Sequence, residues 1–307
     1  MKELVSVVIV TYNSSEEIGG CIDSILRNKI PCKIFIVDNN SKDQTVETVE
    51  SYRISNPSIT LIRNTENYGL AYANNQPLED ISSKYILILN PDLILREDSI
   101  EKLVDKMESD PSLGMIGPLT LFEGGERHQT AFVDYSLFTI LMWRVFPYNL
   151  MRKIFDSISS YKTKDVLFVS GACYLIHTQL FKEIGGYDPQ LFLTISDVAD
   201  IGVRIRKRGY RALFYSESVI THFGGRSNAP LKYLTQYWAL TGDLYFIRKH
   251  KGLTQEKIAR IVFIISSLIR FLTFSILGAI TFKQGYREKM TLYRDLAKNV
   301  WKYKVTP

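Results

Sequence analysis

Residues 85–95 read YILILNPDLIL. Five apolar residues, Tyr85 to Leu89, have the aromatic and β-branched character of a strand buried on both faces, and Asn90-Pro91-Asp92 stops it with a turn that carries an acid. Working backwards, Lys33 to Val37 (KIFIV) repeats the pattern and ends at Asp38, and Val5 to Val10 (VSVVIV) is an almost unbroken apolar run. Ile59 to Arg63 reads as a further strand. Between these runs lie helical patterns. Ser14-Ser15-Glu16-Glu17 spells a capping box that opens a helix running to about Arg27, followed by helices over Asp43 to Tyr52 and Gly69 to about Leu78. Working forwards, Ser99 to Glu108 is helical and Gly114 to Leu121 extended. Strands alternating with helices predict an α/β fold, a mostly parallel central sheet with helices on both faces.

The chain has 307 residues, 46% of them hydrophobic and 23% charged, enough for a sizeable core and incompatible with disorder. Cys21, Cys32 and Cys173 form no CxxC pair, which removes a disulfide framework and a thiolate zinc site and reads as reduced thiols. Met1, Lys2 and Glu3 lead straight into a strand without an export signal, so a cytoplasmic location is expected. The net charge of +6 is unevenly spread: residues 248–307 hold 13 basic and 3 acidic side chains, a net +10, leaving −4 for the first 247. A basic, apolar tail on a mildly acidic body suits an anionic lipid surface and argues against a nucleic-acid binder.

From Thr130 to Phe155 the alternation gives way to an aromatic and basic stretch. Order returns over Val166 to Ile176, with a turn at Gly185-Gly186, a helix from about Asp197 to Lys207 and a strand over Arg211 to Tyr215. Beyond Leu231 the chain is mostly helical. The expected domains are a catalytic one over residues 1–247 and a helical appendix over residues 248–307.

Two strands end in an aspartate, Asp38 and Asp92, and in open parallel sheets ligands bind beyond the carboxyl ends of the strands. The alternative is that both acids merely form turns. The segment TYNSSEEIGG after the first strand lacks GxGxxG, and no Walker A sequence is present, so a phosphate-rich ligand needs a metal in place of a glycine cradle.

Seven blocks in order, VSVVIVTYNSSEEIGGCIDSIL, IVDNNSKDQT, NTENYGLAYANNQPL, YILILNPDLIL, SGACYLI, EIGGYDPQLF and ITHFGGRS, resemble those of family-two inverting glycosyltransferases over roughly residues 4–250. Within that family they look most like the rhamnosyltransferase-like members of surface polysaccharide synthesis. The resemblance implies a glycosyltransferase A fold and transfer of a sugar from a nucleotide donor to a hydroxyl of a lipid-linked or polysaccharide acceptor. Rhamnose from dTDP-rhamnose is the first expected donor and a UDP-hexose the second; a catalytically degraded binding or scaffold protein is the alternative. It puts Thr11, Asn13, Asp38 and Asn40 at the base and ribose, and Asn67, Gly69, Ala73 and Asn75 beside the donor. Asn90-Pro91-Asp92 stands at the family's metal motif, so Asp92 is the expected ligand of Mn2+ or Mg2+, with Asn90 beside the donor. His222 is a second metal ligand or a diphosphate contact, and Arg226 a phosphate contact.

An inverting transfer needs a base to take the acceptor proton. The family's Glu-Asp-Val-Asp type block corresponds to Ser196-Asp197-Val198-Ala199-Asp200, in which Ser196 replaces the Glu and Ala199 is an apparent insertion. Asp197 is acidic in either alignment and is the expected base, with Asp200 the competitor. The structural alternative has Asp197 capping the helix and Asp200 pairing with Arg204 at i,i+4. His128, His177 and His250 lack such context and are assigned to the surface or the core.

Ile261 to Phe282 is long and apolar enough to span a bilayer. The central Arg270 costs about 2.5–3.5 kcal/mol on insertion scales, which an interfacial helix avoids. Flanking lysines and arginines suit anionic lipid, and the aromatic stretch Phe132 to Phe155, with Trp143, Arg144, Phe146, Tyr148, Arg152 and Lys153, suits a headgroup boundary. A peripheral or monotopic enzyme at the inner face of the plasma membrane is expected, with a buried packing helix or a homo-oligomer contact as alternatives.

Overall fold

The computed structural model describes residues 3–146, 150–151, 161–191, 195–222, 232–282 and 284–303. Arg226, Tyr148, Arg152 and Lys153, assigned roles above, lie outside them. The chain divides into two compact units: Met1–Asp134 with Ser160–Pro230, and Tyr135–Ser159 with Leu231–Pro307.

The first unit is built on strands β1 (Val5–Thr11), β2 (Cys32–Asp38), β3 (Ile59–Arg63), β4 (Tyr85–Leu89), β5 (Leu93–Leu95), β6 (Leu113–Phe122), β7 (Ala131–Phe132), β8 (Lys164–Val166), β9 (Phe168–Val169), β10 (Cys173–His177) and β11 (Arg211–His222). The central sheet runs β3-β2-β1-β4-β10-β6-β11-β5, with β8 added against β11; β7 and β9 form a separate pair. The pairings β3-β2, β2-β1 and β1-β4 are parallel, as the continuous apolar runs predict. Beyond β4 the sheet is mixed: β10 is antiparallel to both neighbours, β6 and β11 are parallel, and β5 and β8 are antiparallel to β11.

Helices α1 (Ile18–Leu26), α2 (Thr45–Ser55), α3 (Leu70–Asn75), α4 (Ser99–Ser109), α6 (Thr178–Glu183) and α7 (Ile195–Lys207) belong to this unit, with α5 (Leu137–Val145) in the other. β1 alternates between two cores because its side chains point to opposite faces of the sheet. Val5, Val7 and Ile9 pack with Ile18, Ile22 and Ile25 of α1 and Leu103 of α4, while Val10 meets Val37 and Ala73 on the other side. Each fully buried aliphatic contributes about 1.5–3 kcal/mol to a sheet that leaves neither face to water. The expected capping box does not form: Glu17 occupies the cap position and its side chain does not cap the helix, and the Ser14 carbonyl accepts from the Glu17 and Ile18 amides. The helix therefore starts a turn later than its spelling suggests.

The second unit consists of α5, α8 (Lys232–Lys251), α9 (Leu253–Thr281) and α10 (Gln284–Asn299). Gly252, at φ 92°, breaks α8 from α9, and the expected boundary at residue 247 falls inside α8. Buried polar groups tie these helices together. Asp243 of α8 accepts hydrogen bonds from Tyr135 Oη at 2.6 Å and Arg144 Nε at 2.8 Å, and the Ser266 hydroxyl of α9 donates to the Arg144 carbonyl at 2.5 Å.

Candidate active site

The turns after β1 and β2 lie side by side because Thr11 and Asp38 are register partners. Asp38 is buried. Its Oδ1 accepts from Thr11 Oγ1 at 3.0 Å and Ser41 Oγ at 2.5 Å, and its Oδ2 from the Ser41 amide at 3.0 Å. Asn13 and Asn40 both hold left-handed backbone, at φ 50° and 65°, a conformation asparagine tolerates better than other non-glycine residues. Asn13 locks the two turns together, its Oδ1 accepting from the Lys42 amide at 2.7 Å and its own amide donating to Ser41 Oγ at 2.9 Å.

The next block is more structural than the sequence implied. Asn67 Oδ1 accepts from the Gly69 amide at 3.0 Å, and Gly69, at φ 83°, precedes α3. Asn75, expected beside the donor, holds the backbone of Tyr187 instead: its Nδ2 donates to the Tyr187 carbonyl and its Oδ1 accepts from the Tyr187 amide, both at 2.8 Å. Gly186 makes this clamp possible, since a Cβ there would lie 2.4 Å from Asn75 Oδ1.

The Asn90-Pro91-Asp92 turn links β4 to β5. The Asn90 amide donates to the Ala172 carbonyl at 2.8 Å, while β5 pairs antiparallel with β11 so that Leu93 faces His222. That register brings Asp92 Oδ2 to 3.0 Å from His222 Nε2, both side chains being buried. Phe122 of β6 stacks on the His222 ring with centroids 6.2 Å apart, and His128 meets it edge-on at 5.1 Å. Sequence reasoning assigned His128 no role. The hairpin that returns it to His222, seen in the Leu121 to Arg127 bridge, leaves no periodic signal in so short a segment. Beneath the turn the Cys21 thiol contacts the Asn90 carbonyl; burial, then the Asp92 carboxylate, pushes that thiol far up, so it stays protonated. His177 and His250 meet the rings of Tyr85 and Phe246 at a tilt.

The base candidates lie on α7. The Val198 side chain fills the space beside Gly171, and Gly171 adjoins Ala172, so the start of α7 packs next to the strand segment that holds Asn90. Asp197 is buried, with Oδ1 accepting from the Val198 amide at 2.6 Å. Its carboxylate lies close to the hydrogen-bonded phenols of Tyr174 and Tyr187, 2.7 Å apart: burial first, and this charge after it, drive the Tyr187 hydroxyl far above its ordinary value. Asp200 is fully buried and accepts from Arg204 Nε at 2.7 Å, and Arg204 also donates to the Ile184 carbonyl at 2.5 Å.

The sequence model described as glycosyl transferase family 2 matches residues 6–185. The chain belongs to this family. As a glycosyltransferase it is similar to the N-acetylglucosaminyl-diphospho-decaprenol L-rhamnosyltransferase of Mycobacterium tuberculosis, with 23% identity over 274 residues that cover 82% of this chain and 87% of the relative. Its glycosyltransferase A fold is shared with the mannosyltransferase PcManGT of Pyrobaculum calidifontis, solved with GDP-Man and Mn2+, at a TM-score of 0.59 and 17% identity over 98% of this chain and 88% of that one. It is also shared with GalNAc-T7, solved with UDP, GalNAc and Mn2+, at a TM-score of 0.55 and 17% identity over 81% and 51% of the two chains.

Among the described residues of this transferase no three histidine, cysteine or acidic side chains are placed to hold a metal ion together. The available donors are one carboxylate, Asp92, and one imidazole, His222. That pair fits a divalent cation that draws its other ligands from a diphosphate and water, the usual habit of Mg2+ at phosphate sites.

Proposed function

We propose that the chain is an inverting sugar transferase that takes a nucleoside-diphosphate sugar as donor and a hydroxyl of a lipid-linked or polysaccharide acceptor as nucleophile. The observation that carries this reading is the pairing of Asp92 with His222, 130 residues apart in sequence and 3.0 Å apart at the carboxyl ends of β4 and β11. Asp38, held by Thr11 and Ser41, offers its carboxylate to the ribose or base of the donor. Asp92 and His222 would hold Mn2+ or Mg2+, which when bound neutralises charge on the departing diphosphate. Asp197 takes the acceptor proton, because Asp200 already carries a guanidinium partner. The M. tuberculosis relative, named for a rhamnose transfer to a polyprenol-linked sugar, supports dTDP-rhamnose as the first donor to try and a UDP-hexose as the second. A lipid-linked acceptor also makes the cytoplasmic face of a membrane the place of work.

The test is calorimetric titration of the matching nucleoside diphosphate with and without Mn2+, after a donor screen by thermal shift. Asp92→Ala is expected to abolish the metal enhancement while the protein stays folded. An undiminished enhancement would remove Asp92 from the metal site.

A further inference from the structure

Helix α9 is turned inside out. Glu256, Arg260, Ser266 and Ser267 are each 6% exposed or less, while Ile258, Ile261, Ile265, Leu268, Leu272 and Ile276 are 45–60% exposed. In a water-soluble helix these two sets exchange places. The buried polar side is satisfied within its own unit: Arg260 pairs with Glu256 and donates to the Val300 carbonyl, and Arg270 donates to Tyr293 Oη at 3.1 Å and the Phe146 carbonyl at 2.9 Å. From Ile258 to Ile276 the exposed aliphatic stripe runs about 27 Å at ~1.5 Å per residue. Only 22% of the most apolar stretch of the helix is buried, so this is not the core helix of a soluble bundle.

We infer that this stripe is a lipid-binding face that lies in the plane of an anionic membrane and does not cross it. The inference is independent of the donor and base assignments above. The net charge of the two helices chooses the occupant, with α10 packed on the polar side of α9, through Arg270 and Phe274, away from the stripe. Lys257 is exposed on α9, and α10 adds exposed Arg287, Lys289, Arg294 and Lys298 against a single exposed acid, Glu288. A second copy of this chain seated on the stripe would bring two such net-positive helix pairs together, whereas an anionic membrane attracts them. The same charges exclude a spanning arrangement. α10 runs back along α9, with Tyr293 at Arg270 and Val300 at Arg260, so immersing α9 lengthwise would carry the charges of α10 into hydrocarbon.

Flotation of the full chain with phosphatidylcholine vesicles, with and without phosphatidylglycerol, tests this. Binding is expected with phosphatidylglycerol, weakened by salt, and at least roughly tenfold weaker for Ile265→Ser/Leu272→Ser/Ile276→Ser, whose melting by circular dichroism should match the parent because the replaced side chains are exposed. Should that variant misfold, Lys257→Glu/Lys289→Glu carries the test, with loss of binding to anionic vesicles expected. Alkaline carbonate should release the protein from cell membranes. Resistance to carbonate would make α9 a spanning helix and overturn the in-plane arrangement. Failure to float, or flotation indifferent to both variants, would overturn the lipid face. A concentration-dependent dimer abolished by the triple substitution, without flotation, would give the stripe to a second copy.

Discussion

Asp197 and Asp200 occupy one turn of one helix, yet their surroundings divide the work between them. Asp200 is sealed in and paired with Arg204, so Asp200→Asn should lower the melting temperature by an amount corresponding to about 3–5 kcal/mol, the usual cost of leaving a buried charge without its partner. Asp197→Asn should leave the melting temperature nearly unchanged and cut turnover by about 10²-fold or more, since an amide cannot accept the proton. Steady-state rates beside thermal melts separate the two, and the reverse order would make Asp200 the base. His177 gives a pH-dependent readout. Burial, then the Lys84 ammonium, holds its imidazole below the ordinary value of 6.5. The unfolded chain therefore takes up the proton first as pH falls, so the stability His177 contributes is present above about 6.5 and lost below it. Melting curves from about pH 7.5 to about 5.5 should slope less for His177→Gln. Asp38 and Asp92 stand out in the sequence because each follows an apolar run, and His222 because ITHFGGRS resembles a block of the family; the structure brings Asp92 and His222 together. His128 and the clamp made by Asn75 were not legible there, since side-chain pairing across a fold leaves no trace in local spacing.

Among the elements, those that follow a strong period were readable: β3 and β4 fall on their expected residues, and α4 differs by one. β5, β7 and β8 were missed because two or three residues cannot display an alternation. β5 nevertheless aims Asp92, as its pairing with β11 sets the register of the site. Strand β11 itself extends to His222, well past the expected end at Tyr215, through a register shift between Tyr215 and Val219 that interrupts the apolar pattern. α7 depends on one small residue. A Cβ at Gly202 would lie 2.4 Å from the Leu167 carbonyl oxygen, a backbone atom that cannot swing aside. Gly202→Ala should thus push α7 away, costing about 1–3 kcal/mol of stability as overpacking does and lowering turnover through displacement of Asp197. Unchanged melting and turnover would mean that this contact relaxes freely.

For the whole molecule, composition foretold a basic helical region but not its membership. Tyr135–Ser159, from the middle of the chain, joins the C-terminal helices because Tyr135 and Arg144 supply the partners of Asp243. Such pairing across a hundred residues is invisible to a boundary drawn from charge. A truncation at residue 258, natural from the sequence, would strip α9 from Arg144 and leave α5 uncovered, which is why substitutions on the exposed stripe are the cleaner probe. Strand order has a consequence for biogenesis. β5 has β11 as its sheet neighbour, and β11 is the last strand among the described residues. A nascent chain still short of residue 222 on the ribosome leaves β5, next to Asp92, on an unpaired edge, so the Asp92–His222 pair forms only in a late closing event, after every other strand among the described residues has already been synthesised.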